Sequence, residues 1–380
     1  MTPQDTLEYF KKRESEMVDA IHDIVEIESP SYDGERSKTV VDWIENEARK
    51  IGLDLSIERI PAEGYGEHLI IRVFSGNAKP YFLLGHSDTV HPVGTNEQNP
   101  TRIDGDKFYG CGIFDMKAGI VLMLEALRYF AETGQQPSRP ITIFISCDEE
   151  VGSASGRPLL EKEAANAEAC FILEPSAAGR VKTGRKGTGM YTVTAHGVPA
   201  HAGLEPEKGA NAIVELARQI ERISAVADPA VGTTVNVTTF RGGTTTNVIP
   251  EHAKCDVDVR FSTMAEAERV DAAVRSLKPF DPRVSIEVSG DINRPPMERT
   301  DAVASLYEKA RSVAASFNYD LGETQVGGAS DGNFVAALGV PVLDGLGVTG
   351  DGAHTLHEHI LVSDIVRRAT MVTRLLMDAD

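Results

Sequence analysis

His86, Asp115, Glu149, Glu150, Glu174 and His354 are the residues of this 380-residue chain whose types and surroundings could do chemistry together. Most follow apolar runs. Phe82-Leu83-Leu84 leads into Gly85-His86-Ser87-Asp88, Ile141 to Ile145 into Ser146-Cys147-Asp148-Glu149-Glu150, and Phe171-Ile172-Leu173 into Glu174-Pro175. Asp115 closes the Gly-bracketed turn Gly110 to Asp115, and His354 closes a second, Gly350 to His354. One histidine after a strand is ordinarily structural, and a Glu-Glu pair is ordinarily a solvated loop. Their coincidence carries the weight, because carboxylates gathered at one place repel each other and rise in pKa unless cations neutralise them. Mixed imidazole and carboxylate donors suit Zn²⁺ first and Mn²⁺ or Co²⁺ next, and argue against Ca²⁺ or a thiolate cage. His86, Asp115, Glu150, Glu174 and His354 exceed the roughly three protein ligands of one catalytic zinc. Two ions sharing one carboxylate would use the whole set and lower the pKa of a water between them.

The elements that must position these residues are legible as periodicity. Leu69 to Phe74, Tyr81 to Leu84, Ile141 to Ile145 and Ala169 to Leu173 read as strands; Thr6 to Ile27, Lys38 to Ile51 and Met116 to Ala131 read as amphipathic helices. Strands alternating with helices predict an α/β unit with a mostly parallel sheet flanked by helices, whose ligands sit beyond the carboxyl ends of the strands. From about residue 184 the texture changes. Tyr191 to Ala195, Thr233 to Phe240, Ala253 to Phe261 and Arg283 to Val288 alternate as half-exposed strands, and Gly209 to Ile223 and Ala265 to Leu277 read as helices. This predicts an inserted α+β unit, a four-stranded antiparallel sheet with two helices, over 184–293. The first unit would then comprise 1–183 and 294–380, with further helices at Ala302 to Phe317 and Val362 to Met377.

Seven segments in order, Gly85-His86-Ser87-Asp88-Thr89-Val90, Gly112-Ile113-Phe114-Asp115-Met116-Lys117, Asp148-Glu149-Glu150-Val151-Gly152-Ser153, Glu174-Pro175-Ser176, Ala200-His201-Ala202-Gly203, Asn247-Val248-Ile249-Pro250 and His354-Thr355-Leu356-His357-Glu358, give the chain a family likeness. It resembles the co-catalytic di-zinc exopeptidases and deacylases, which include glutamate carboxypeptidase, aminoacylase, acetylornithine deacetylase and succinyl-diaminopimelate desuccinylase. Val181-Lys182-Thr183-Gly184-Arg185-Lys186-Gly187 looks most like the glutamate carboxypeptidase branch. The resemblance implies a zinc-exopeptidase fold with a lid and dimerisation domain. It implies that His86 and Glu174 hold one ion, Glu150 and His354 the other, and that Asp115 bridges them. Asp88 would orient His86 through the ring's other nitrogen. Glu149, left without a metal, would be the general base that passes a proton to the leaving nitrogen. His201 would reach across a homodimer and hydrogen-bond the oxyanion of the tetrahedral intermediate. His357 and His359 stand beside the ligand position of the last motif and leave a second assignment open there.

Substrate selection is sought in the inserted unit. Arg260 follows the alternating strand Cys255 to Val259, and Asn247 follows the Gly-Thr-rich loop Gly242 to Thr246. An Arg fork binds a carboxylate through two hydrogen bonds, and an Asn amide donates beside it. The competing reading pairs Arg260 with Asp256 or Asp258, which share its face of the strand. By resemblance, Gly328 and Ser330 would line the same pocket. Lys182, Arg185 and Lys186 would form a basic patch that steers an anionic substrate or is simply solvated. Closure of one unit on the other would complete the site. The expected substrate is a small peptide or N-acyl amino acid with a free terminal carboxylate, an acidic C-terminal residue first.

Rival chemistries have less support. Gly328-Ala329-Ser330-Asp331-Gly332 reads as G-x-S-x-G, with Asp344 or Asp351 and then His354 in the order of an α/β-hydrolase triad. That serine-hydrolase reading leaves His86, Asp115, Glu149, Glu150 and Glu174 unexplained. A related metal-dependent deaminase or amidohydrolase on an unusual amide is a further alternative. With 38 Lys+Arg against 57 Asp+Glu, a net charge of -19 disfavours nucleic acid and anionic membranes as partners. No P-loop or G-x-G-x-x-G follows a strand. Four cysteines without CxxC spacing suit a reducing compartment. Met1 to Arg13 lacks a signal-peptide core and no run approaches about 18 apolar residues, so the expected location is cytoplasmic.

Overall fold

A computed structural model describes residues 1–377. The chain forms two compact units: Met1–Thr183, Arg299–Val326 and the chain from Ser330 onward make the first, and Gly184–Glu298 with Gly327–Ala329 make the second. The expected return to the first unit at residue 294 comes five residues later. Arg294 still belongs to the strand Ser285–Arg294, paired with Thr188, and Met297 exchanges backbone hydrogen bonds with Arg185.

The first unit is built on a six-stranded sheet, in the spatial order Leu55–Ala62, Gly66–Val73, Ile141–Ser146, Tyr81–His86, Ala169–Ile172 and Val342–Leu343. The last four run parallel, and the first two add antiparallel pairings at one edge. Every residue of Tyr81–His86, Ile141–Ser146 and Ala169–Ile172 is buried, as strands covered on both faces require. Their apolar runs leave no solvent face and stop where the polar residues begin. The register sets Gly85 beside Ile145 and His86 beside Ser146, with Leu84 beside Ile172. The residues that follow these three strands therefore emerge together at the carboxyl end of adjacent strands.

Helices complete the layer. The expected first helix, Thr6 to Ile27, is two helices, Pro3–Lys12 and Glu14–Val25. Arg13 breaks it with φ -104 and ψ 7 while its guanidinium grips the buried Glu125 at 2.9 and 3.2 Å. Thr2 and Asp5 cap the first of these reciprocally, satisfying two otherwise orphaned N–H groups. The helix Ala118–Thr133, apolar without interruption from Ala118 to Leu124, is buried on most of its surface and packs on both Glu14–Val25 and the helix Val362–Met377. Among the described residues no helix is long and apolar enough to cross a membrane.

The second unit has a four-stranded antiparallel sheet in the order Thr234–Gly242, His252–Phe261, Gly187–His196 and Ser285–Arg294, with the helices Ala212–Ser224 and Met264–Arg275. Along His252–Phe261 the odd-numbered residues are buried and the even-numbered ones are not, the pattern of a sheet covered on one face. Val193, Cys255, Val257 and Val259 meet Leu216, Ile223, Val270 and Val274 in its own core.

Candidate metal centre

The carboxyl edge of the parallel strands gathers the acids and imidazoles. His86 ends its strand and is buried. Its Nε2 lies 3.1 Å from Asp115 Oδ1 and 3.4 Å from Glu174 Oε1. His354 Nε2 lies 3.3 Å from Asp115 Oδ2 and 3.2 Å from Glu150 Oε2. One carboxylate thus offers an oxygen to each of two imidazole–carboxylate pairs. His354 itself sits at φ 64, in the left-handed region that non-glycine residues seldom adopt. Sparsely populated backbone of this kind tends to cluster at functional sites.

Electrostatics follow from this crowding. Hydrogen bonds to Asp115 and then Glu150 push His354 up to about 10. Burial pulls His86 down, but Asp115, Asp88 and Glu174 together outweigh it and raise it well above its ordinary value. Burial drives Asp115 up, yet its bonds to His354 and His86 hold it well below the usual carboxylate range. Glu150 is raised, chiefly by burial. Its Oε1 is buried and has no hydrogen-bond partner among the described residues. An orphaned carboxylate oxygen beside two imidazoles and two further acids is a donor set that fits divalent metal.

Two overlapping groups have ligand atoms mutually within 4.8 Å: His86, Asp115 and Glu150, and His86, Glu149 and Glu174. Glu149 therefore lies among the ligand atoms. His357 and His359 belong to neither group. His357 is exposed, and His359 is buried at the strand His359–Leu361, its Nδ1 2.8 Å from the His357 carbonyl and its ring beside Tyr109.

The turns that carry the candidate ligands are held by other acids. The carboxylate of Asp88 accepts the backbone N–H groups of Glu149 and Glu150, each at 3.2 Å, and the Ser31 hydroxyl at 2.7 Å. His86 Nδ1 is nearer the Asp88 carbonyl, at 2.9 Å, than its carboxylate, at 3.4 Å. The expected orientation of His86 by Asp88 thus runs mainly through the backbone. Glu358, which the sequence reading gave no role, is fully buried. It accepts from the N–H groups of Gly112, Phe114 and Asp115, all at 2.9 Å, and contacts His91 Nε2 at 2.7 Å. Its four-residue spacing from His354 was the available signal, but its partners lie more than 240 residues away.

The remaining expected residues are placed as follows. Ser330 is buried, and its hydroxyl donates to Asp344 at 3.1 Å while accepting from Gly332 N–H. The imidazole of His354 turns to Asp115 and Glu150, so the serine triad is not assembled. Lys182 is buried with Nζ 4.0 Å from Asp344, and Arg185 is buried and donates to the Gly328 carbonyl, so neither contributes to a solvated basic patch. Arg260 closes its fork on Asp258, at 3.0 and 2.9 Å, the competing pairing considered above. His201 is exposed, and its Nδ1 accepts from Gly203 and Leu204 N–H at 3.1 Å each, which leaves Nε2 as the ring's donor. Asn247 Oδ1 accepts from the Thr245 hydroxyl, directing the amide's donor end elsewhere.

A model of peptidase family M20/M25/M40 matches residues 82–378, a span that takes in every residue of this cluster. The chain belongs to that family. As an M20 peptidase it is a metal-dependent hydrolase of amide bonds, and the serine-hydrolase alternative falls. This M20 chain is similar to carboxypeptidase G2 of Pseudomonas sp., 30% identical over 371 residues that cover 95% of this chain and 89% of the relative. It is also similar to succinyl-diaminopimelate desuccinylase of Delftia acidovorans, 29% identical over 316 residues, 77% of this chain and 79% of that protein. Among solved structures, aminopeptidase PepT from Bacillus cereus shares the fold, with a TM-score of 0.77 at 22% identity over 96% of this chain and 98% of that one.

Proposed function

We propose that this M20-family enzyme releases a C-terminal amino acid, glutamate-like first, from a peptide or N-acyl conjugate, using two zinc ions for which Mn²⁺ or Co²⁺ can substitute. The observation that carries the reading is the division of Asp115 between His86 and His354. His86, Glu174 and Asp115 would hold one ion, and Glu150, His354 and Asp115 the other. When bound, such ions supply an activated water near neutral pH and polarise the substrate carbonyl.

The chain's own groups do the rest. Glu149 lies with its carboxylate oxygen near His86 and Glu174; it takes the proton of the attacking water and returns it to the leaving nitrogen. The Nε2–H of His201, contributed by a second subunit of a homodimer, steadies the oxygen that gains charge. The amide of Asn247 and the guanidinium of Arg260, exchanged from Asp258, meet the terminal carboxylate. The name carboxypeptidase on a relative matching 95% of the chain supports a substrate with that free carboxylate. The test is a zinc-reconstituted assay of N-acyl-glutamate, N-acyl-alanine and an N-acyl-glutamine amide. Hydrolysis ordered acid first and amide last is expected, and equal cleavage of the C-terminal amide would overturn the proposal.

A further inference from the structure

Away from the acids and imidazoles of the first unit, the open face of the second unit's sheet carries a pair of histidines. His196 is the last residue of the strand Gly187–His196, and His252 is the first of the strand His252–Phe261; the register places them directly opposite. Both belong to the even-numbered face, where side chains are not covered by the helices. Their Nδ1 atoms are 3.2 Å apart, and the rings meet edge to face at 87°.

The outer nitrogens decide what the inner ones can do. His196 Nε2 lies 3.2 Å from Glu287 Oε2, and His252 Nε2 lies 3.7 Å from Glu251 Oε1. The Glu287 carboxylate, within hydrogen-bond distance of Nε2, keeps the His196 proton there and makes its Nδ1 the lone-pair nitrogen, whereas Glu251 at 3.7 Å is too far to fix the tautomer of His252. Without a metal, His252 Nδ1–H can donate to this lone pair at 3.2 Å; a cation that displaces the shared proton and sits to one side of the pair takes both nitrogens as donors. Two nitrogens each about 2.0–2.1 Å from a tetrahedral ion are about 3.3 Å apart, close to the separation seen. From this geometry we infer a transition-metal site on the second unit, with His196 and His252 as ligands through Nδ1, Glu287 and Glu251 behind them, and water completing the shell. The ligand class is a borderline divalent ion that favours imidazole, Zn²⁺ or Cu²⁺.

The site stands at the root of the pairing that carries His201. Directly after His196, Gly197 N–H bonds to the Glu251 carbonyl at 2.7 Å, and Ala200–His201 then pair with Val248–Ile249. An ion shared by His196 and His252 clamps the two chain segments from which that pairing springs. The inference goes beyond the hydrolytic reading and does not depend on it.

The experiment compares metal uptake by untagged full-length protein and its variants. Equilibrium dialysis against Zn²⁺ at tens of micromolar should give the wild-type chain one equivalent more than His252→Gln or His196→Gln, whatever number the first unit holds. In a His86→Ala background, added Cu²⁺ should give an electron paramagnetic resonance signal with two-nitrogen coupling that disappears with His252→Gln. Glu287→Gln, which keeps both ligands, should weaken this site by about 10–100-fold. Should a histidine variant fail to fold, as judged by its metal-free circular dichroism, the Glu287→Gln affinity decides alone. Equal zinc counts in wild type and variants, or a Glu287→Gln affinity equal to the wild type, would overturn the inference, including the outcome in which the two rings merely share a proton.

Discussion

Glu358 is the residue through which the geometry of the centre can be tested most sharply. Its Oε1 accepts the N–H groups of Phe114 and Asp115, and its Oε2 accepts the N–H of Gly112 and faces His91 Nε2, all within 2.7–2.9 Å. Glu358→Ala strands several buried donors, each costing about 1–3 kcal/mol if left unsatisfied. The turn can relax and admit water, so the expected loss is about 3–5 kcal/mol, the range for breaking a buried charged pair. Glu358→Gln keeps the shape but turns an NH₂ toward one pair of donors, so two bonds are lost and the other two kept, at about 2–4 kcal/mol. Because one of the anchored groups is the N–H of Asp115, the damage should reach the metal. Zinc affinity, read by competition with a chromophoric chelator, should fall by about 10–100-fold in Glu358→Gln, alongside a lower urea midpoint. A Glu358→Gln protein that unfolds early yet binds zinc like the wild type would refute the link between this carboxylate and Asp115.

Glu149→Gln should retain its zinc, measured by mass spectrometry, while kcat falls by about 10²–10⁴-fold, and near-normal turnover would remove Glu149 from proton transfer. Zinc uptake should release protons. His354, raised to about 10 by Asp115 and Glu150, is protonated in the chelated protein at pH 8 and must lose that proton to bind a metal. Calorimetry in buffers of different ionisation enthalpy reads the release, and an identical heat in all of them would contradict it. By the same linkage, the stability that His354 lends the chelated protein is fully present below its unfolded pKa near 6.5 and drains away as the pH rises toward about 10. Asp258→Asn loosens the hold on the Arg260 fork and should lower KM for N-acyl-glutamate several-fold with kcat unchanged, whereas Arg260→Ala raises it. If neither variant moves KM, Arg260 only braces its strand.

What could be read from the sequence was whatever local periodicity encodes. The strands ending at His86, Ser146 and Ile172 are fully buried and mostly apolar, so both their identity and the polar residues at their ends are legible. Leu55–Ala62 gives no clear strand signal because it is an edge strand, with Ser56 and Glu58 exposed, Arg59 beside them, and Pro61 where a buried strand would not tolerate it. The three-residue strands carry no period: Arg102–Asp104 and Lys107–Tyr109 form a short local hairpin, and His359–Leu361 joins Lys107–Tyr109 only by pairing over some 250 residues. The change of pattern places the unit boundary at residue 294, yet Arg294 and Met297 remain tied to residues 188 and 185. The partner of Arg260 was foreseeable as one of two, since residues two apart share a face, but only side-chain rotamers choose Asp258 over Asp256.

The deeper reason lies in the acids themselves. Asp88 and Glu358 come from the same short motifs as His86 and His354 and are of the same residue types as the proposed carboxylate ligands. What separates them is the partner each one faces. Asp88 accepts the N–H groups of Glu149 and Glu150, and Glu358 those of Gly112, Phe114 and Asp115, so both carboxylates satisfy backbone that no helix or sheet would satisfy. Glu150 keeps an oxygen that meets no donor among the described residues, and Asp115 spends both of its oxygens on imidazoles. One set of acids builds the turns and the other is presented by them. A carboxylate that already accepts three backbone donors has little left to give an ion, whereas one facing only imidazoles exchanges them readily for a cation. The division between scaffold and ligand is therefore decided by hydrogen-bond supply, which the fold alone determines.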